Sequence, residues 1–149
     1  MIEIRNMREA DASAVAQIEE AVFSKPWSRQ GFLDALAMDD NLFFVAEEEG
    51  RILGYIGMYV ALDEGEITNV AAAPEARRRG VGAKLVEASL KAADERGIHT
   101  VVLEVRVSNT PAINLYEKYG FVRQGIRKGF YELPREDAYI YLKEFQTTC

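Results

Sequence analysis

The sequence has a single cysteine, Cys149, at its last position. No intramolecular disulfide can form, which agrees with a reducing, cytoplasmic setting, and no internal thiol is available to carry a covalent acyl group. A side chain at the end of a chain frays, so Cys149 is not read as a nucleophile. There is also one histidine, His99, just behind the helix-end signal Gly97-Ile98. Metal sites need several ligands, and no Cys/His cluster is present, so no metal is expected and His99 reads as a loop or strand-edge residue. No apolar run approaches membrane-spanning length. The opening Met1-Ile2-Glu3-Ile4-Arg5 alternates like a strand and does not read as a signal peptide. Positive charge is in the minority, 18 Lys and Arg against 24 Asp and Glu, for a net charge of −6. That balance argues against duplex nucleic acid, whose phosphates call for a basic face. An acidic surface steers a basic peptide or a cationic amine inward, or simply keeps the protein soluble.

What is there fits one globular domain over residues 1–149, with 48% apolar and 28% charged residues. Ile2 to Met7 reads as a first strand. Asp11 or Ser13 opens a helix with Val15, Ile18 and Val22 on one face, and Phe23 to Ser28 breaks it. Ser28 caps a short second helix with Phe32, Leu33 and Leu36 inward. Leu42 to Glu47 and Ile52 to Leu62 form a hairpin about Glu49-Gly50-Arg51. Asp63-Glu64-Gly65 is a turn, and Glu66 to Ala73 is a strand stopped by Pro74. A long helix from about Gly82 to Arg96 buries Leu85, Val86, Ser89, Leu90 and Ala93, and Gly97 ends it. Thr100 to Val107 is a buried strand. Thr110 caps a further helix with Pro111 in its first turn. Phe121 to Glu132 and Ala138 to Phe145 form a last hairpin about Pro134 to Asp137. Helices and strands alternate only in part, which predicts an α/β chain with a mixed central sheet of about seven strands and helices on both faces.

The most informative stretch runs from Val70 through Arg77-Arg78-Arg79-Gly80-Val81-Gly82 to Leu85. A strand enters a short loop, and glycines lead into an amphipathic helix. A helix N-terminus exposes unpaired N–H groups and a positive dipole end, which suits a pyrophosphate. Gly80 and Gly82 let the backbone approach phosphates closely, and the three arginines offer charge-assisted contacts. A Walker loop fits worse, because Leu85 follows Lys84 where Ser or Thr is needed. A dinucleotide fingerprint lacks its third glycine. The plain alternative is that the arginines are solvated and the glycines only turn the chain.

Two titratable groups lie downstream. Glu104 stands among apolar residues, where an unpaired charge is costly. It is either one half of a same-face pair with Arg106 or a general base for an incoming amine, directly or through a water. Tyr116 is either a core aromatic at helical spacing or an acid that protonates a departing thiolate.

Arg77-Arg78-Arg79-Gly80-Val81-Gly82 resembles the Gln/Arg-x-x-Gly-x-Gly/Ala signature of the GNAT superfamily of N-acetyltransferases. The succession of elements is similar over nearly the whole chain. The resemblance implies that the fourth and fifth strands splay apart. Acetyl-CoA then lies between them, its pantetheine arm along Val70, Ala71 and Ala72 and its pyrophosphate on Arg78, Arg79, Gly80, Val81, Gly82 and Ala83. Asn109 matches a position that helps hold this co-substrate, or is a helix-entry turn residue. Tyr116, in Leu115-Tyr116-Glu117-Lys118-Tyr119-Gly120-Phe121, matches the family's acid, and a backbone N–H near Val70 or Ala71 is placed to steady an oxyanion.

Phe23 to Ser28, Leu62-Asp63-Glu64, Leu103 to Asn109 and Arg135 to Ala138 resemble the RimI-type branch. Its members acetylate the N-terminal alanine of small-subunit ribosomal protein eighteen. The implied partner is thus a protein N-terminus, with Trp27 and Tyr131 flanking a peptide groove; Trp27 as a core anchor is the alternative. An α-amine, with a pKa near 8, suits a carboxylate base better than a lysine near 10.4. Acetylation of a small amine and non-catalytic acetyl-CoA binding are the competing functions.

Overall fold

A computed structural model describes residues 1–145; Cys149 lies outside the described residues. The chain runs β1 (Glu3–Asn6), α1 (Ala12–Val22), α2 (Arg29–Leu36), β2 (Leu42–Glu48), β3 (Arg51–Ala61), β4 (Glu64–Ala72), α3 (Val81–Glu95), β5 (Thr100–Arg106), α4 (Thr110–Lys118), β6 (Val122–Glu132) and β7 (Arg135–Glu144). Short 3-10 turns at Glu9–Asp11 and Pro74–Ala76 precede α1 and follow β4.

The seven strands form one mixed sheet in the order β1-β2-β3-β4-β5-β7-β6. All neighbours are antiparallel except β4 and β5. That parallel seam is short: Glu64 pairs with Thr100, Gly65 with Val101 and Glu66 with Val102. Beyond Glu66, β4 continues on β3 as far as Ala72, and β5 continues on β7 as far as Arg106. The two strands therefore part after three rungs, and the β5-facing edge of Ile67–Ala72 is left without a strand partner.

Adjacent residues of one strand show what covers each face. Successive strand residues point to opposite sides. The Tyr55 hydroxyl reaches Glu19 of α1, while a Cβ on Gly54 would lie 2.7 Å from Val81 Cγ1 of α3. Helices α1 and α3 thus flank opposite faces, and Gly54 is where α3 comes too close for any side chain. The stripe Leu85, Val86, Ser89, Leu90 and Ala93 of α3 is buried, joined by Val81. Phe32, Tyr55, Ile56, Leu103 and Tyr141 are fully enclosed. Each large apolar side chain so buried stabilises the fold by about 2 kcal/mol.

Local details correct three expectations and refine a fourth, the opening of α1 at Asp11. Glu64 and Gly65 are the first rungs of β4 and not a turn. The last hairpin turns at Leu133-Pro134, two residues earlier than the Pro134–Asp137 reading, because Arg135 pairs back with Glu132. Asn109, not Thr110, caps α4, its Oδ1 accepting the Ala112 N–H at 3.2 Å. Asp11 sits at the cap of α1 without bonding into it. Its carboxylate instead accepts Arg5 Nη1 and Nη2 at 2.8 and 2.9 Å and the Arg8 N–H at 2.8 Å.

Candidate active site

Where β4 and β5 part, a cavity of about 900 Å³ opens. Of the residues singled out in the sequence, it brings together Val70, Glu104, Asn109, Tyr116, Trp27 and Tyr131. The phosphate-loop residues Arg78 to Ala83 do not line it, nor do Ala71 and Ala72. Gly82 comes close to its wall: a Cβ there would stand 3.6 Å from Leu115 Cδ2, and Leu115 lines the cavity.

The loop has the geometry of an anion cradle. Gly80 is the N-cap of α3 and is left-handed, with φ 75°. The first helical bond runs from the Lys84 N–H to the Gly80 carbonyl at 3.1 Å. The N–H groups of Val81, Gly82 and Ala83 come before it and take no helical partner. Arg78 is also left-handed, with φ 67°, an uncommon state for a residue with a side chain and one found often at ligand sites. Arg79 is engaged already, its Nη2 donating to Glu48 Oε2 at 2.8 Å. The bare N–H groups and unpartnered β4 edge fit a long, phosphate-bearing thioester such as acetyl-CoA.

Glu104 and Arg106 share one face of β5 but do not pair. Arg106 Nη1 reaches Glu136 at 3.1 Å, and the guanidinium carbon lies 4.2 Å from the centre of the Tyr131 ring. It also donates to the Leu133 and Pro134 carbonyls. Glu104 is left with Arg127, whose Nε stands 3.7 Å from Oε1. Burial, and then the negative charge of Glu66, hold the Glu104 carboxyl above the ordinary carboxylate range, and Arg127 offsets part of this. The group is thus a stronger base than a free carboxylate. Glu66 carried no signal in the sequence, because its proximity to Glu104 depends on the β4–β5 register.

Tyr116 is buried, and its ring meets Phe121 edge-on at 5.7 Å between centroids. Burial, then the neighbouring Tyr131, pushes the phenol well above its ordinary value. It remains protonated at any physiological pH and so holds a proton for a departing thiolate, while the raised pKa makes it a weaker acid than an ordinary phenol. Trp27 packs on Phe32 (5.2 Å) and Tyr59 (6.0 Å) and also lines the cavity.

Sequence reasoning missed Glu19. This α1 carboxylate is 2% exposed yet lies at the cavity wall. It accepts the Tyr55 hydroxyl, the Asn69 Nδ2 and, at 3.0 Å, the Trp27 backbone N–H. In the sequence it is one of two consecutive glutamates on a helix, with nothing to set it apart.

No helix among the described residues is long and apolar enough to cross a membrane. Among those residues there is also no group of three or more His, Cys, Asp or Glu side chains placed to hold a metal ion.

Known proteins resemble this chain in sequence and fold. Residues 12–121 match the Acetyltransferase (GNAT) family. The ribosomal protein bS18-alanine N-acetyltransferase of Escherichia coli (strain K12) is 34% identical over 139 residues, 92% of this chain and 93% of the relative. An N-alpha-acetyltransferase of Sulfurisphaera tokodaii is 34% identical over 150 residues, 92% of this chain and 89% of the relative. The crystal structure of the ribosomal-protein-S18-alanine N-acetyltransferase from Escherichia coli superposes with a TM-score of 0.92 at 32% identity, over 100% of this chain and 97% of that one.

Proposed function

The chain belongs to the GNAT family of acetyltransferases, and from that premise we propose that it moves the acetyl group of acetyl-CoA to the N-terminal α-amine of a protein, an alanine-starting ribosomal protein of the bS18 kind. The observation that carries this reading is the placement of Glu104 and Tyr116 in one cavity, at the point where β4 and β5 separate. The similarity to enzymes that act on bS18 alanine supports the acceptor.

Acetyl-CoA supplies the activated acyl group when bound. The residues assigned to hold it are Val70, Ala71 and Ala72 along the open edge of β4, Arg78 to Ala83 at the start of α3, and Asn109. Asn109 has to do this while capping α4, which leaves its Nδ2 to donate. Glu104 takes a proton from the amine, directly or through a water, so that the nitrogen lone pair is free to attack. Its raised pKa brings it nearer that of an α-ammonium, which eases the transfer. The Tyr116 hydroxyl gives its proton to the sulfur that leaves. A backbone N–H of Val70 or Ala71 faces the acyl oxygen as negative charge grows there. Trp27 and Tyr131 flank the peptide at the mouth. The chain's own part is positioning together with one base and one acid, each worth on the order of 10²–10⁴-fold.

The test is mass spectrometry of a short, basic, alanine-starting peptide after incubation with acetyl-CoA. One acetyl group on the α-amine is the expected result. Acetylation of free polyamines with the peptide untouched would overturn the acceptor assignment.

A further inference from the structure

A buried carboxylate with only neutral donors around it is an expensive core residue. Replacing such a group with an apolar one of similar size is often neutral or stabilising, so its presence calls for a reason. Glu19 is such a group. Its partners come from three other parts of the chain: the Tyr55 hydroxyl on β3, Asn69 Nδ2 on β4 at 3.2 and 3.3 Å, and the backbone N–H of Trp27 in the loop between α1 and α2 at 3.0 Å. Tyr55 is fully buried and Asn69 is 5% exposed. Asn69 Oδ1 is buried with no partner at all. The amide is turned to aim its donor at Glu19, at the expense of leaving its acceptor unsatisfied. Tyr55 and Asn69 thus fix the carboxylate, and the carboxylate fixes Trp27.

The same loop then reaches over the cavity. The Ser24 hydroxyl donates to the Leu133 carbonyl in the turn after β6, and Lys25 pairs with Glu132, the last residue of β6 and next to Tyr131. Where Trp27 is held therefore decides where this roof lies. We propose that Glu19 is a positioning residue for the acetyl acceptor: through the Trp27 N–H it sets the loop that forms one wall of the acceptor groove. This rests on the reading that the cavity receives the acceptor.

Trp27 is the only tryptophan in the chain, which gives a readout independent of turnover. In Glu19→Ala the Trp27 N–H loses its acceptor. Its emission is expected to shift to the red and to become more accessible to acrylamide. KM for the alanine-starting peptide is expected to rise about tenfold or more, with KM for acetyl-CoA and kcat near wild type, the pattern of lost acceptor binding alone. Glu19→Gln recovers most of both properties, because Gln accepts from Trp27 through its oxygen while Asn69 turns its orphan Oδ1 toward the new amide. Should Glu19→Ala fail to fold, Asn69→Ala, which withdraws one donor from the carboxylate, carries the same expectation in weaker form. An unmoved Trp27 spectrum, an unchanged peptide KM, or a fall in kcat with both KM values constant would each overturn the proposal. If the wild-type protein itself leaves the peptide unmodified, the acceptor reading has failed, and the Trp27 spectrum still tests the link between Glu19 and the loop.

Discussion

Arg106 lies over the ring of Tyr131, 4.2 Å from its centre, and spends its charge on Glu136. Two residues earlier on the same face, Glu104 is left without it. A direct pair with Arg106 would have pulled the Glu104 carboxyl down and made it a weak base. Its actual neighbours, burial and Glu66, push the other way.

The pH profile follows from this. The proposed base has to be ionised, so activity rises with pH through a pKa above the ordinary carboxylate value of about 4.3. Glu66→Gln removes the negative neighbour and moves the acid limb of kcat to lower pH, Arg127→Gln moves it higher, and Arg106→Gln leaves it in place. Glu104→Gln lowers kcat by about 10²–10⁴-fold with acetyl-CoA affinity retained. Because the folded pKa is raised, protonated Glu104 favours the fold at low pH, and this contribution is lost as pH rises through the folded pKa. Glu104→Gln is therefore more stable than wild type at neutral pH, as thermal melts will show; equal turnover in the variant would remove the base assignment.

Tyr116→Phe keeps the ring against Phe121 and loses only the hydroxyl. Turnover should fall on the order of 10²-fold while the melting temperature holds. A co-substrate whose leaving thiol is more acidic needs less help from the acid, so the deficit should shrink with such an analogue. An equal deficit for both would argue against proton donation.

Arg79, proposed to meet a phosphate of acetyl-CoA, is held by Glu48. Glu48→Gln frees it and should tighten acetyl-CoA binding a few-fold, a modest effect because solvent screens an exposed ion pair. Arg79→Gln should weaken binding and cancel the benefit of the Glu48 change in the double variant. Gly80→Ala forces a side chain into a left-handed turn at about 1 kcal/mol, although the space beside it is open. Calorimetric titration with acetyl-CoA measures the three Glu48 and Arg79 variants, and thermal melts read the Gly80→Ala cost.

Asp11 accepts two bonds from Arg5 and one from the Arg8 N–H, and the Arg5 bonds do most to hold its carboxyl below the ordinary range. A lowered folded pKa means stability that is present above the unfolded value and is lost as pH falls through the folded one. Asp11→Asn should cost about 1–3 kcal/mol at pH 7, with the gap to wild type closing in acid. Denaturant titrations at neutral and acid pH will show whether it closes.

Most of the fold was legible because its signals are local and periodic. The α3 stripe from Leu85 to Ala93, the Ser28 cap and the stop at Gly97 each lie within a few residues of what they determine. Errors arose where two local rules competed, as at Asn109 and Thr110, both good caps, or where strand pairing outran a turn signal, as at Glu64-Gly65. Glu104, Tyr116, Trp27 and Tyr131 were singled out by motif, and the fold does gather them in one cavity. Glu19 and Glu66 were invisible because their significance comes from partners brought up by the tertiary fold, 36 residues away in the case of Glu19 and Tyr55. The Arg106–Glu136 pair was missed for the same reason.

The three-rung seam between β4 and β5 divides the sheet into a four-stranded and a three-stranded half, hinged at one end. A thioester lying in the wedge would supply the rungs that the polypeptide omits. On the proposed reading such a protein is completed by what it consumes: cohesion across the seam would rise when the co-substrate enters and fall when the spent thiol leaves.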